Sequence, residues 1–331
     1  MATMSPPTAT GAAGRPCALC GGATAPWVRA RDRTGGGPRW IGRCRTCGVG
    51  RTTDAPAPRG PSGQGGATAA ARRAPGAAPA RDGRGAGGVL ARRVARRQVR
   101  RLLAALPAHA TVLDVGAGSG LRTRVLAAAG HRVIAIEPDG EEAARLRAAA
   151  PAGVVVREGG VPGAIGRGEA DGALLWHVLE HVDDPRAALR ALATALRPGA
   201  PLLVAVPNPV GAEARLFGGR WHGWEPARHR WHLPPSVLAD LMRQAGFTGV
   251  RVAATGGWEY PASLAFSLAP ALDPQVHPAT PARRAAALAS TALLAPVALA
   301  ARLAGAGAQV VGWARAPGAD RDPGDGGSPV A

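Results

Sequence analysis

Short apolar runs alternate with longer segments of helical periodicity through the middle of this chain. Apolar side chains dominate residues 112–115, 131–136, 172–176 and 201–206, and glycine, proline or polar residues follow each run. Such short runs indicate buried strands, whereas the stretches between them repeat apolar positions at helical spacing. Strands that alternate with helices along a chain usually pair in parallel. The pattern therefore predicts an α/β fold built on a parallel sheet.

The first apolar run leads into a glycine-rich turn, in the sequence TVLDVGAGSG over residues 111–120. Asp114 lies within the predicted strand, and Gly116, Gly118 and Gly120 form the turn that opens a helix. Glycine allows sharp turns and a close approach of the backbone to a ligand. The turn is therefore a candidate cofactor loop, with these four residues as candidate contacts.

An acid ends the second predicted strand, in the pair Glu137-Pro138. A carboxylate at this position commonly binds the hydroxyls of a ribose. A dinucleotide loop would need glycine or alanine at the sixth position of its motif, where this chain has Leu121. The spacing of the glycines instead resembles the first motif of class I S-adenosylmethionine-dependent methyltransferases.

Three further segments extend this resemblance across roughly residues 108–255. They are HVLEHVDDP at 177–185, RPG at 197–199 and VPN at 206–208. The chain resembles the ubiquinone-biosynthesis-type and sugar methyltransferases, with Ala200 in place of a usual glycine. The resemblance implies a Rossmann-like seven-stranded sheet and S-adenosylmethionine as the cofactor. The cofactor-binding residues it implies are Asp114, Gly116, Gly118, Gly120, Glu137, Pro138, Glu158 and His177.

Histidines cluster after two of the predicted strands, where ligands bind in open α/β sheets. His177 and His181 follow the fourth strand, and His229 lies with Glu225 in a tryptophan-rich loop after the fifth. These four residues are the candidate catalytic groups, because imidazole can accept a proton near neutral pH. We expect His181 to be the base, on one helical face with His177, and Glu225 with His229 to be the alternative pair. His177 lining the cofactor cleft, a metal bound by paired histidines, and a structural role for Glu180 are the other interpretations.

The four cysteines form two Cys-x-x-Cys pairs, Cys17 with Cys20 and Cys44 with Cys47. Each pair is followed by glycine, and 23 residues separate the pairs. This spacing is typical of a structural zinc ribbon, in which four thiolates leave no open position for catalysis. Residues 1–50 are therefore predicted to be a small zinc-binding unit.

Arginine supplies all 40 basic residues, and the charge is concentrated near the N-terminus. Residues 1–107 contain 19 arginines against Asp32, Asp54 and Asp82, a net charge of +16. Residues 51–88 have almost no large apolar side chains and are predicted to be a flexible linker. An arginine-rich helix is predicted over 89–106. It either packs beside the cofactor strand or contacts phosphate or anionic lipid.

The end of the chain departs from a minimal methyltransferase sheet. Strands are predicted over 248–253 and 308–314, within a catalytic domain spanning 89–315. Residues 256–307 between them form a predicted helical insertion, and 316–331 a disordered tail. The apolar segment 285–301 is short for a membrane span but suits a lid, a dimer contact or a peripheral membrane contact.

These features predict a methyltransferase that acts on a small molecule, with a sugar, glycan or lipid-linked acceptor. An RNA methyltransferase, and a non-catalytic zinc-ribbon binding module, are the alternatives. The N-terminus has no apolar signal segment, so a cytoplasmic location is expected. The sequence does not indicate the oligomeric state.

Overall fold

The computed structural model describes residues 16–33, 37–53, 86–255, 259–273, 277 and 280–318. Its strands are β1 Thr24–Ala30, β2 Arg39–Cys44, β3 Gly50–Thr52, β4 Thr111–Val115, β5 Arg132–Glu137, β6 Val154–Glu158, β7 Gly172–Trp176, β8 Pro201–Pro207, β9 Trp231–His232, β10 Thr248–Thr255 and β11 Gln309–Arg315. Its α-helices are α1 Ala86–Leu103, α2 Leu121–Ala128, α3 Gly140–Ala148, α4 Pro185–Ala195, α5 Ala212–Phe217, α6 Pro235–Gln244, α7 Glu259–Leu268 and α8 Pro281–Leu303.

Seven strands form one sheet in the order β10-β11-β8-β7-β4-β5-β6. Strand β11 runs antiparallel to both neighbours, and the remaining pairs are parallel. The predicted Rossmann-like seven-stranded sheet is therefore confirmed. Its central strands are apolar on both faces because helices cover both: β7 and the body of β8 are buried throughout.

The two faces of the sheet bury separate apolar cores. One core joins α4 and α6 to the sheet through residues such as Leu189, Leu192 and Leu238. The other core holds Val99 and Leu102 of α1 against the opposite face. Helix α1 thus packs on the sheet while its arginines face outward, which is the first of its two predicted roles. The helix begins at Ala86 and ends at Leu103, three residues earlier at each end than predicted.

The segment between β7 and α4 differs from the prediction. Residues 177–183 form turns, and α4 begins only at Pro185, where the carboxylate of Asp184 accepts hydrogen bonds from the N–H groups of Arg186 and Ala187. His177 has a positive φ of 57°, which ends the strand without starting a helix. His177 and His181 therefore do not share a helical face, and that prediction was wrong.

The predicted insertion before the last strand is a helical hairpin made of α7 and α8. Helix α8 continues through Pro296, and Thr280 caps its first turn. Strand β10 runs parallel to β8, and Thr255 pairs with Gln309 opposite Pro207. The hairpin therefore emerges at the carboxyl edge of the parallel strands, where ligands bind in this class of fold.

The cysteine-containing segment is joined to the large sheet through a loop of the catalytic region. Strands β1, β2 and β3 form an antiparallel sheet that β9 extends, with Gly50 paired to His232 and Arg51 to Trp231. The segment is therefore packed against residues that follow β8. Most of the predicted linker, and residues 319–331 of the predicted tail, lie outside the described residues.

Candidate functional site

The glycine turn connects β4 to α2 at the carboxyl edge. The N–H groups of Gly116 and Ala117 donate to the carbonyl of Ile136, which fixes the turn beside β5. All three glycines have positive φ, but their surroundings differ. A Cβ atom on Gly116 would lie 2.5 Å from Val178, and one on Gly120 would clash with Leu146. A Cβ atom on Gly118 would meet nothing within 4 Å, so Gly118 borders open space suited to a ligand.

The carboxylate of Glu137 lies directly beside this open space. It accepts hydrogen bonds from the N–H of Gly118 at 2.7 Å and from the N–H of Asp139 at 3.0 Å. Burial raises the pKa of Glu137, and these two N–H groups partly offset the effect. The two contacts orient the carboxylate, and each oxygen retains a lone pair for a ribose hydroxyl. Pro138 follows on the surface.

The other predicted cofactor acids have different positions. Asp114 is buried, and its carboxylate accepts a 2.6 Å hydrogen bond from the hydroxyl of Thr123 in α2. Asp114 thus anchors the helix beneath the glycine turn. Glu158 pairs in register with Glu137 at the end of β6 and is exposed beside Gly140. Of these two acids, Glu158 lies on the ligand side of the sheet edge.

His177 lies at the tip of β7, between an acid and an amide. Its Nδ1 is 3.0 Å from Oε1 of the buried Glu180, and its Nε2 is 2.7 Å from the amide nitrogen of Gln309. A neutral imidazole that donates from Nδ1 and accepts at Nε2 satisfies both contacts. Because Gln309 occupies the accepting nitrogen, His177 is better placed to line the cleft than to remove a proton.

His181 and His229 face each other, with ring centroids 4.8 Å apart. Nδ1 of His181 lies 3.1 Å from the carbonyl of Arg228, and Nδ1 of His229 lies 3.0 Å from the carbonyl of Gly223. Both rings therefore donate from Nδ1, which leaves Nε2 as the basic nitrogen of each. Burial lowers the pKa of both histidines, that of His229 to about 4, so both are neutral at pH 7.

A carboxylate completes this pair of rings. Ligand atoms of Glu180, His181 and His229 lie within 4.8 Å of one another, and Oε2 of Glu180 is buried without a hydrogen bond from the described residues. Two imidazoles and a carboxylate are a donor set that divalent metals accept. The geometry thus keeps open the metal interpretation of the paired histidines.

Glu225 lies in an ion-pair network rather than at an open cleft. Its carboxylate is 2.9 Å from a guanidinium nitrogen of Arg33 and 3.2 Å from one of Arg228. Burial opposes ionisation, but the charge that His229 gains when it is protonated at low pH, together with the guanidinium groups of Arg228 and Arg33, outweighs it and holds the pKa of Glu225 far below its usual range. A carboxylate so stabilised is a weak base. The geometry does not favour Glu225 as a proton acceptor.

This network joins three parts of the chain. Arg33 comes from the cysteine-containing segment and also pairs with Asp273, which follows α7 in the insertion. The N–H groups of Arg230 and Trp231 donate to the carbonyl of Glu180. We call residues 218–232 the acceptor loop, since it connects the cysteine segment and the hairpin to the histidines.

The tryptophans of the acceptor loop are core residues. Trp221, Trp224 and Trp231 are each at most 3 % exposed. Trp224 packs edge-to-face on Trp221 and on Trp27 of β1, with ring centroids 5.1 and 5.2 Å apart. This burial agrees with a role in core packing rather than with a stacking surface for a substrate.

The four cysteine sulfurs form one cluster, as predicted. The Sγ atoms of Cys17 and Cys47 are 3.8 Å apart, and those of Cys20 and Cys44 are 3.5 Å apart. A tetrahedral zinc with sulfur ligands at 2.3 Å implies sulfur–sulfur distances of about 3.8 Å. The N–H groups of Leu19 and Cys47 point to the sulfurs of Cys17 and Cys44. The thiols thus fit a structural zinc.

Sequence reasoning missed four polar residues of this region. They are Gln309, Arg33, Asp273 and Glu213. Glu213 accepts hydrogen bonds from Trp221 and Ser263, and burial raises its pKa to about 7. Gln309 could have been noticed as a lone polar residue at the start of an apolar strand. The other three carry no local signal.

Comparison with known proteins agrees with this geometry. Residues 90–252 match the family described as a methyltransferase domain. The ubiquinone biosynthesis O-methyltransferase of Xanthomonas axonopodis pv. citri is 36 % identical over 157 residues, which cover 42 % of this chain and 63 % of that protein. The match thus spans less than two thirds of that relative.

Solved structures of low sequence identity also align with this chain. Phosphoethanolamine N-methyltransferase 2 of Haemonchus contortus, in complex with S-adenosyl-L-methionine, aligns with a TM-score of 0.50 at 12 % identity, over 70 % of this chain and 57 % of that one. A possible histamine N-methyltransferase from Thermotoga maritima aligns with a TM-score of 0.45 at 22 % identity, over 68 % and 91 %.

Proposed function

We propose that this chain, whose residues 90–252 match the methyltransferase domain family, transfers a methyl group from S-adenosylmethionine to a small-molecule acceptor. The observation that carries the proposal is the carboxylate of Glu137, held by the N–H groups of Gly118 and Asp139 beside open space. This is the arrangement that a nucleoside ribose requires at the carboxyl edge of such a sheet. S-adenosylmethionine, when bound, supplies an electrophilic methyl group on a sulfonium.

The chain's own residues orient the reactants and accept the acceptor's proton. Val178 packs against Gly116, so the turn that carries the histidines borders the glycine loop. His177, fixed by Glu180 and Gln309, lines this border. We assign proton removal to Nε2 of His181, because the bond from Nδ1 to the carbonyl of Arg228 orients the ring. Holding the acceptor in line would supply much of the remaining rate.

Replacing His181 with alanine should lower kcat by about 10² to 10⁴, since a positioned general base contributes that much. Affinity for S-adenosylmethionine, measured by calorimetry, should remain within a few-fold of the parent. Burial lowers the pKa of His181, so activity of the parent should persist as the pH falls below the ordinary histidine value of 6.5. His181→Gln serves as the control of similar size. Equal loss of cofactor binding in both variants would show that the histidine is structural.

The hairpin supports a proposal about the class of acceptor. Helix α8 is the one helix in the described residues that is long and apolar enough to cross a membrane. Only Thr291 and Ala298 of it are buried, whereas Leu293 and Leu303 are 77 % and 79 % exposed. A helix that is apolar on every side needs an apolar partner. We therefore infer an apolar, lipid-linked acceptor, presented at a membrane surface on which α8 lies.

Vesicle sedimentation tests this inference. The protein should bind vesicles that contain phosphatidylglycerol, and replacing Leu293 and Val297 together with serine should lower the partition by about tenfold, because apolar burial is lost. Val155→Ser is the matched control, since Val155 is 52 % exposed on β6 at the other end of the sheet. Unchanged partition of the α8 variant, or an equal loss in the control, would refute membrane contact through α8.

We propose a zinc ion for the four clustered thiolates and, because a four-thiolate zinc site needs reduced cysteines, a reducing cytoplasmic location. Burial opposes ionisation of Cys44, but the N–H groups of Cys47 and Thr46, with the Cys20 side chain, lower its pKa to about 6. A readily ionised thiol suits metal binding, because the thiolate is the ligand.

A further inference from the structure

An open groove lies between the end of α1 and the strands β10 and β11. It encloses about 410 Å³ and is lined by Arg101, Ala104, Ala105, Gly249, Arg251, Trp313 and Arg315. Small-molecule sites commonly enclose about 300–1,000 Å³. We call it the arginine groove.

Backbone geometry brings its arginines together from three elements. Arg251 and Arg315 lie on adjacent antiparallel strands, where Arg251 pairs with Trp313 and Arg315 with Thr248. Because Arg251 pairs directly with Trp313, and Arg315 lies two residues beyond Trp313 on the same strand, these three side chains face one side of the sheet. Helix α1 packs on that same side and contributes Arg101 from its last turn.

The side chains form a cationic rim over an apolar floor. The Arg101 guanidinium lies over the Trp313 ring at 4.6 Å, and a guanidinium nitrogen of Arg315 donates to the carbonyl of Gly199 at 2.9 Å. These contacts fix two of the three cations. Trp313 itself is only 8 % exposed, whereas all three arginines are exposed. Three cations without a carboxylate among the lining residues create a positive potential that an anion would neutralise.

We propose that the arginine groove binds a small ligand with a chain of two or three phosphate groups. The planar guanidinium group of arginine matches phosphate oxygens in geometry and charge. Three guanidinium groups can therefore pair with more than one phosphate. The burial of Trp313 leaves little ring surface for stacking, so recognition rests on the phosphates. Inorganic triphosphate and nucleoside triphosphates share this chemistry.

Position separates this groove from the cofactor site and from the membrane-facing helix. Arg315 lies opposite Pro201, where β8 begins, so the groove extends to the amino edge of the parallel strands. Helix α8 emerges from the carboxyl edge, and the glycine turn lies there too. Given strand spacings of about 4.8 Å and rises of about 3.3 Å per residue, roughly 20 Å separates the groove from the glycine turn. A membrane bound by α8 would therefore not cover the groove.

Calorimetry with inorganic triphosphate, and separately with adenosine triphosphate, tests the proposal on the full chain. Both should bind, and Arg251→Gln with Arg315→Gln should weaken each at least tenfold without changing affinity for S-adenosylmethionine. Similar affinities for the two probes would support recognition through the phosphates, whereas much tighter binding of adenosine triphosphate than of inorganic triphosphate would overturn it.

Arg190→Gln is the matched control, because Arg190 is exposed on α4, which covers the opposite face of the sheet. The Arg190→Gln protein should bind inorganic triphosphate and adenosine triphosphate with the same affinities as the parent. Equal weakening by this control would show that net charge, not the groove, attracts the anion. Absence of binding by both probes at millimolar concentration would overturn the proposal. So would a single-stranded RNA 12-mer that binds far more tightly than either probe and loses affinity in the groove variant.

Discussion

Replacing Cys44 with serine is expected to remove the metal and to lower acceptor turnover by at least about 10²-fold, although Cys44 lies far from the cofactor loop in the sequence. Strand β3 pairs with β9, and the hydroxyl of Thr52 donates to the carbonyl of His229. Unfolding of the cysteine segment would therefore release the acceptor loop that holds His229. Misplacement of catalytic groups by about 1 Å can lower rates by this amount. The measurements are metal content and steady-state turnover.

The contacts of Thr52 and β3 join the cysteine segment to the acceptor loop and not to the glycine turn. The affinity for S-adenosylmethionine should therefore change much less than turnover. Trypsin should also cut the acceptor loop faster, at Arg228 or Arg230. The hydrogen bond from the Arg230 N–H to the carbonyl of Glu180, and that from the His181 ring to the carbonyl of Arg228, would weaken and expose the loop. Arg33→Gln is the control that breaks the ion pair with Glu225 but leaves all four thiolates. The Arg33→Gln protein should retain the metal and lose less turnover than the Cys44→Ser protein. A metal-free Cys44→Ser protein with full turnover would contradict the coupling.

Replacing Gly118 with leucine should weaken S-adenosylmethionine binding by at least about 10²-fold, equivalent to about 3 kcal/mol. A side chain there would enter the open space beside Glu137, and the φ of +52° would add strain of about 1–3 kcal/mol. Calorimetry of cofactor binding, with thermal melting to follow folding, measures both effects.

Gly130→Leu is the matched control for this variant. Gly130 also has a positive φ, of 88°, and open surroundings, but it follows α2 away from the carboxyl edge. It should lower the melting temperature without changing cofactor affinity. Equal loss of affinity in the two variants would attribute the effect to folding strain and count against a cofactor at Gly118.

The sequence alone predicted the sheet because each of its signals is local. Buried parallel strands are continuous apolar runs, and their ends are marked by glycine, proline or an acid, as at Gly116 and Glu137. The cysteine cluster was also predictable from local signals, because each Cys-x-x-Cys pair is a short motif and the two pairs need only come together once. The helical insertion followed from the family resemblance, which implies only a short hairpin between the last two strands where this chain has residues 256–307.

The tertiary structure decided the roles of the acids and histidines. Asp114 was grouped with the cofactor residues, but its position under the glycine turn directs it to Thr123. His177 and His181 match a helical spacing, yet the positive φ of His177 and the cap at Asp184 replace the helix with turns. Glu225 matches a base by its place in the sequence, but Arg33, 192 residues away, pairs with it in the fold.

The composition determined that the N-terminal region is cationic and that its cysteines form one cluster, because charge and ligand spacing are properties of the chain itself. Only the folded chain showed that the cysteine segment, the acceptor loop and the hairpin share one network, through Arg33 with Glu225 and Asp273. It also showed that Arg101, Arg251 and Arg315 meet in one groove. Such contacts join residues distant in sequence, and they depend on strand order and register, which no local pattern encodes.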